Sequence, residues 1–106
     1  MIICEDMKIV IEGAGEVGSH LAKMLRSEGN EITIIDENPQ RLAAMSAYAD
    51  VETILGNPSS IKVLREAGVA EADLYIAVYP FAPQEVNIVG ALLAKRLGAA
   101  KVIARI

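Results

Sequence analysis

Short apolar runs alternate along the chain with stretches whose apolar residues recur at helical spacing. Ile9-Val10-Ile11 predicts a first strand over residues 8–11. Val17, Leu21, Met24 and Leu25 follow at helical spacing and predict a helix over 16–28, stopped by Gly29-Asn30. Ile32-Thr33-Ile34-Ile35, ending on Asp36, predicts a second strand over 31–36. Asn38-Pro39 reads as a cap with proline in the first helical position, so the second helix covers 39–47, with Leu42, Met45 and Ser46 facing the sheet. A third strand spans 51–55. Asn57-Pro58 repeats the capping pattern and opens a third helix that ends at Gly68. The fourth strand, 74–78, is nearly all apolar and therefore central. Tyr79-Pro80-Phe81-Ala82-Pro83 reads as a rigid loop, followed by a long helix over 84–97, stopped by Gly98, and a fifth strand over 101–105. Val86, Val89, Leu92, Leu93 and Leu97 predict the stripe by which the long helix covers the sheet. Ile88 is left over as a candidate for self-association.

Strands and helices in strict alternation predict an α/β fold with an open parallel sheet. Right-handed crossovers place helices on both faces. With dinucleotide-binding topology the strand order is 3-2-1-4-5, and a nucleotide lies over the carboxyl ends of strands one and four. The chain has 106 residues, enough for one domain around a single core. A full doubly wound sheet has about six strands. Residues 1–106 are therefore expected to be a single dinucleotide-binding domain, a fragment lacking its last strand and a C-terminal ligand domain.

The candidate chemistry sits where the first strand meets the first helix. Gly13-Ala14-Gly15-Glu16-Val17-Gly18 follows the strand directly, and Asp36 lies 18 residues beyond Gly18 at the end of the next strand. Strand, glycine turn, helix, strand and acid in one unit form the dinucleotide fingerprint in its proper context. Gly13 allows the tight turn, Gly15 lets a pyrophosphate approach the backbone, and Gly18 lets the helix pack closely on the sheet. The helix start offers unpaired N–H groups and a partial positive charge to phosphates. Asp36 is suited to accept from ribose hydroxyls and would repel a 2′-phosphate, which favours NAD(H) over NADP(H). Glu16 in the turn disfavours a further negative charge such as a γ-phosphate. An alternative reading has Glu16 facing solvent and improving the first helical turn.

Composition narrows the classes. Hydrophobic residues make up 53% of the chain, which suits a sheet buried on both faces. No apolar run approaches the ~18 residues of a membrane span, so direct membrane insertion is not expected. The first six residues include Glu5 and Asp6 and lack a basic segment, unlike a signal peptide. The net charge is −4, with Lys and Arg scattered, so nucleic-acid binding is not expected. One cysteine, Cys4, and one histidine, His20, build neither a disulfide framework nor a metal cluster. A reducing, cytoplasmic setting follows most simply. His20 reads as a surface or helix-packing residue.

Longer stretches are similar to the N-terminal regulatory domain of Trk-type potassium uptake proteins, the RCK or KTN domain family. They are Lys8-Ile9-Val10-Ile11-Glu12 with the glycine turn, Ile32-Thr33-Ile34-Ile35-Asp36, Val63-Leu64-Arg65-Glu66-Ala67-Gly68 followed by Glu71-Ala72-Asp73-Leu74-Tyr75-Ile76-Ala77-Val78, and Val102-Ile103-Ala104-Arg105-Ile106. Glu85 and Asn87 fit the Glu-x-Asn that opens the family's fourth helix. The resemblance covers residues 7–106. It implies a Rossmann-type, non-enzymatic regulatory subunit in the cytoplasm, held at the inner face of the plasma membrane by a potassium-transporter subunit. It also implies self-association as a dimer or ring, and conformational change driven by NAD(H), or by ATP/ADP in relatives. Gly13, Gly15, Gly18 and Asp36 carry over as the cofactor site, with Ala14, Glu16 and Val17 in the same turn and Glu37 beside the acid. Arg41 carries over as a contact near the adenosine half. Gly56 and Asn57 match a Gly-Asp pair beside the adenine, with a plain helix cap as the alternative reading of Asn57. Val78 and Tyr79 border the site beyond the pyrophosphate. There the chain departs from the family. Its apolar 79–83 loop is about two residues longer than in relatives, a length loops tolerate, and it suits stacking on the ligand or, as the favoured reading, a subunit contact.

Two other functions compete. One is the cofactor half of an NAD-dependent oxidoreductase, which would need a substrate domain with a positioned acid or base. The other is an interface module with a vestigial site.

Overall fold

A computed structural model describes residues 6–47, 50–79 and 84–105. Its elements run β1 (Lys8–Glu12), α1 (Glu16–Ser27), β2 (Glu31–Asp36), α2 (Pro39–Ser46), β3 (Glu52–Leu55), α3 (Ile61–Glu66), a 3₁₀ turn (Val69–Glu71), β4 (Leu74–Ala77), α4 (Gln84–Leu97) and β5 (Val102–Ala104). The strands form a parallel sheet in the order β3-β2-β1-β4-β5. β1 is the middle strand, with Ile9 opposite Ile32 on one side and Leu74 on the other. Its Ile9, Val10 and Ile11 are fully buried because helices cover both faces.

Each face has its own core. Ile9, Ile11, Ile32, Ile34, Leu74 and Ile76 pack against Ala22 and Leu25 of α1 and Leu42 and Met45 of α2. Val10, Ile35, Tyr75 and Ala77 pack against Leu64 of α3 and Ala91 and Ala94 of α4. β1 thereby divides the molecule, and its carboxyl end opens between the two helical layers.

The helices meet the sheet on smaller residues than their apolar spacing predicts. In α1 the buried residues are Gly18, Ala22 and Leu25, while Val17 and Met24 are each 44% exposed. In α4, Asn87, Gly90, Ala91 and Ala94 are buried, and Val89 and Leu92 face solvent together with Ile88. The cause is close approach. A Cβ on Gly18 would fall 1.8 Å from the Gly13 carbonyl oxygen, so the helix seats where it has no side chain. In α2 Leu42 and Met45 are buried as expected, but Ser46 is exposed.

α3 starts later than Asn57-Pro58 suggests. Its cap is Ser60, whose hydroxyl accepts the Val63 N–H at 3.4 Å. Asn57 instead accepts the Ser59 N–H at 2.7 Å and closes a local turn. The expectations for Cys4, for Pro80 to Pro83 and for Ile106 lie outside the described residues.

Candidate functional site

At the end of β1 the chain turns at Gly13 with φ 108°, a conformation that L side chains rarely adopt. A Cβ there would also stand 2.7 Å from the Tyr79 Cα, so the turn is pressed against the end of β4. The Gly13 N–H donates to the Ile35 carbonyl at 2.7 Å and holds the turn to β2. Gly15 precedes α1 without a side-chain cap, and Ser19 Oγ donates to the Ala14 carbonyl at 2.9 Å. The first N–H groups of a helix have no partner within it. Here they lie at the glycine turn, where Glu16 and Val17 are exposed.

Asp36 ends β2 and is fully buried. The Ala14 N–H donates to its Oδ2 at 2.8 Å and the Asn38 N–H donates to its Oδ1 at 2.8 Å. Arg41 on α2 donates from Nη1 to Oδ1 and Oδ2 at 3.1 and 3.0 Å. Asp36 is therefore tied to the glycine turn itself, a structural role its position in sequence does not disclose. Gly56 joins the same cluster, since its N–H donates to the Asp36 carbonyl at 3.0 Å. The Asn57 side chain is exposed and engaged in its own turn.

Tyr79 crosses this site. It follows β4, Glu37 follows β2, and β1 lies between them. The Tyr79 hydroxyl donates to Glu37 Oε1 at 3.3 Å, so the side chain spans the end of β1 over the glycine turn. Its backbone is fixed by Asn87, whose Oδ1 accepts the Tyr79 N–H at 2.7 Å and whose Nδ2 donates to the Tyr79 carbonyl at 3.3 Å. Burial raises the Tyr79 hydroxyl pKa most, and the Asp36 and Glu37 carboxylates raise it further. The hydroxyl thus keeps its proton and remains a donor near neutral pH. Val78 lies inside this junction, with its N–H on the Glu12 carbonyl at 2.9 Å.

Gly13, Ala14, Asp36, Glu37, Arg41, Gly56, Val78 and Tyr79 are thus linked by contacts at one end of the sheet. A surface cleft of about 560 Å³ lies at the opposite end, lined by Asp6, Arg26, Asn30, Glu31, Asp50 and Glu52. Its Arg26 is already paired with Asp50 at 3.1 Å. Open parallel sheets bind ligands beyond the carboxyl ends of their strands, so the glycine turn and the residues tied to it form the candidate site.

A second polar pair escaped the sequence reading. The carboxyl of Glu12, the last residue of β1, is fully buried and accepts from the Tyr75 hydroxyl at 2.7 Å. A single acid closing an otherwise apolar central strand was the signal available.

The TrkA-N domain profile matches residues 9–106. The chain belongs to the TrkA-N domain family. Among curated relatives, the Trk system potassium uptake protein TrkA of Haemophilus influenzae is 48% identical over 83 residues, which is 78% of this chain and 18% of that protein. The TrkA homolog of Archaeoglobus fulgidus is 45% identical over 100 residues, 94% of this chain and 22% of that protein. The homolog of Methanothermobacter thermautotrophicus is 38% identical, over 94% of this chain and 45% of that protein. The chain thus spans less than half the length of these relatives. The crystal structure of the TrkA-N domain of the Escherichia coli inner membrane protein ybaL superposes with a TM-score of 0.68 at 18% identity, covering 98% of this chain and 90% of that one. Levodione reductase superposes with a TM-score of 0.58 at 20% identity over 70% of this chain and 34% of its own. Both likenesses establish the Rossmann-type fold of this TrkA-N domain. No helix among the described residues is long and apolar enough to cross a membrane.

Proposed function

We propose that this TrkA-N domain is the nucleotide-sensing part of a potassium-uptake regulator. It binds NAD(H) across the glycine turn and thereby biases gating of a membrane potassium transporter to which it docks on the cytoplasmic side. The observation that carries this reading is the buried Asp36 carboxylate, bonded to the Ala14 N–H of the glycine turn beside the start of α1. An acid in that position suits ribose hydroxyls and the adjoining helix N-terminus suits a pyrophosphate, which supports the reading. The names of the curated relatives support the potassium-uptake setting.

The four contacts on Asp36 define what the ligand must do. Two come from backbone N–H groups within the turns and two from the partly exposed Arg41 side chain. Ribose hydroxyls donate to the same oxygens, so they displace Arg41, which then turns toward the adenosine half. A 2′-phosphate would be repelled by Asp36 and Glu37 together, so NAD(H) is preferred to NADP(H). ATP or ADP is the alternative ligand, sharing the adenosine and diphosphate contacts.

Sensing requires that the ligand favour one conformation over another. A coupling of ~1–3 kcal/mol would change ligand affinity about 5–150-fold between conducting and non-conducting states, and the linkage is reciprocal. Self-association as a dimer or ring would pass the change between copies. The role is regulatory and not catalytic. The test is calorimetric titration of the chain with NADH, NAD, ATP and NADPH. Saturable binding of NADH or NAD, with NADPH much weaker, is expected. No heat and no fluorescence change with any of the four would overturn the reading.

A further inference from the structure

Glu12 is an anomaly in the middle of the molecule. It lies in register between Ile35 of β2 and Ala77 of β4, on the face that α4 covers. Its carboxyl is fully buried, Oε1 takes the Tyr75 hydroxyl, and Oε2 has no hydrogen-bond partner. Gly90 of α4 rests directly on it, for a Cβ there would fall 1.9 Å from Oε1. Ile35 comes from β2, Tyr75 and Ala77 from β4, Leu64 from α3, and Asn87, Gly90, Ala91 and Ala94 from α4. Tyr75 is the titratable group in that set. A carboxylate held by one donor in such surroundings is far costlier than a neutral acid.

We propose that Glu12 is a proton-operated latch for α4: the helix lies on the sheet while the carboxyl is neutral, and lifting residues 87–90 is coupled to release of that proton to solvent. The same segment carries Asn87, which holds both backbone groups of Tyr79. Lifting it therefore frees the Tyr79 side chain from its position over the glycine turn. The latch is a property of the apo fold and does not depend on which ligand the crevice takes. Burial pushes the Glu12 carboxyl up from its ordinary 4.5 to about 8, with the Tyr75 hydrogen bond opposing the rise. In the lifted form the exposed acid titrates in the ordinary range. Between about 4.5 and about 8 the seated form therefore holds one proton more than the lifted form. Opening becomes about tenfold easier per pH unit across that window. Above it both forms are ionised and the dependence levels off.

The experiment is hydrogen exchange of the whole chain from pH 5 to pH 9, corrected for intrinsic rates, against Glu12→Gln. The wild-type α4 and Tyr79 amides should lose protection about tenfold per pH unit relative to the variant up to about pH 8, then hold level, while α1 amides change alike in both proteins. Equal pH dependence of α4 in the two proteins would overturn the latch. So would a loss spread evenly over the molecule. A carboxyl carbon NMR titration of the wild type covers the case in which the variant does not fold: a Glu12 midpoint near that of an ordinary glutamate overturns the proposal, and one close to pH 8 supports it.

Discussion

One guanidinium nitrogen of Arg41 bridges both carboxylate oxygens of Asp36, at 3.1 and 3.0 Å. The pair closes the rim of the glycine turn without a ligand. It leaves Asp36 with two functions, since the acid that would accept ribose hydroxyls also ties the Ala14 and Asn38 N–H groups together.

Asp36→Asn tests the structural one. An amide offers one oxygen and one NH₂, so either the buried Ala14 N–H or the partly buried Asn38 N–H faces another donor. An unsatisfied buried group costs about 1–3 kcal/mol. Urea unfolding of the ligand-free chain is expected to show a loss of that order, alongside weaker NADH binding. Unchanged apo stability would mean that Asp36 serves the ligand alone.

The glycines of the turn should also divide by role. Gly15 is only partly buried and has an extended backbone, whereas a Cβ on Gly18 strikes the Gly13 carbonyl. Gly15→Ala is expected to keep the unfolding midpoint of the parent and to lose NADH affinity by roughly tenfold or more, the added methyl standing where the pyrophosphate approaches. Gly18→Ala is expected to destabilise the fold with or without ligand. Thermal melts and calorimetry on both variants check the division.

Tyr79 reaches Glu37 across the carboxyl end of β1, so a dinucleotide must displace that hydrogen bond to lie on the turn. Such bonds contribute about 0.5–1.5 kcal/mol net. Tyr79→Phe should therefore tighten NADH binding by roughly two- to tenfold. Weaker binding in this variant would show that the hydroxyl holds the ligand instead of guarding its place.

The glycine turn and the place of Asp36 were legible in the sequence because each is set by local chemistry, and the strand order followed from the topology that the fingerprint implied. A turn of positive φ calls for Gly13, and an acid that ends the second strand lies beside the first helix whenever the strands are parallel. The faces of α1 and α4 were legible only in part. Of the bulky residues at helical spacing, Leu21, Leu25, Leu93 and Leu97 do pack on the cores, but the closest contact is made by Gly18, Gly90, Ala91 and Ala94, because short side chains let helix and sheet approach. Large residues such as Leu92, 62% exposed, are left outside. Glu12 escaped for a different reason. Its hydroxyl partner lies 63 residues away on β4, and only the register of the sheet brings the two together.

The close fit of Gly90 on Glu12 yields a test of packing that no ligand can influence. In the wild-type background, Gly90→Ala drives a methyl into a carboxyl pinned by Tyr75 and by the helix itself. Overpacking of this kind costs typically about 1–3 kcal/mol. In a Glu12→Ala background the obstacle is gone, and alanine in a helix interior is favoured over glycine by about 1 kcal/mol. The methyl would also fill part of the space the carboxyl leaves. Gly90→Ala should thus be destabilising in the parent and stabilising in the Glu12→Ala chain. A double-mutant cycle measured by urea unfolding at one fixed pH reads the coupling directly. Simple additivity would mean that α4 does not rest on Glu12, and would remove the physical basis of the latch.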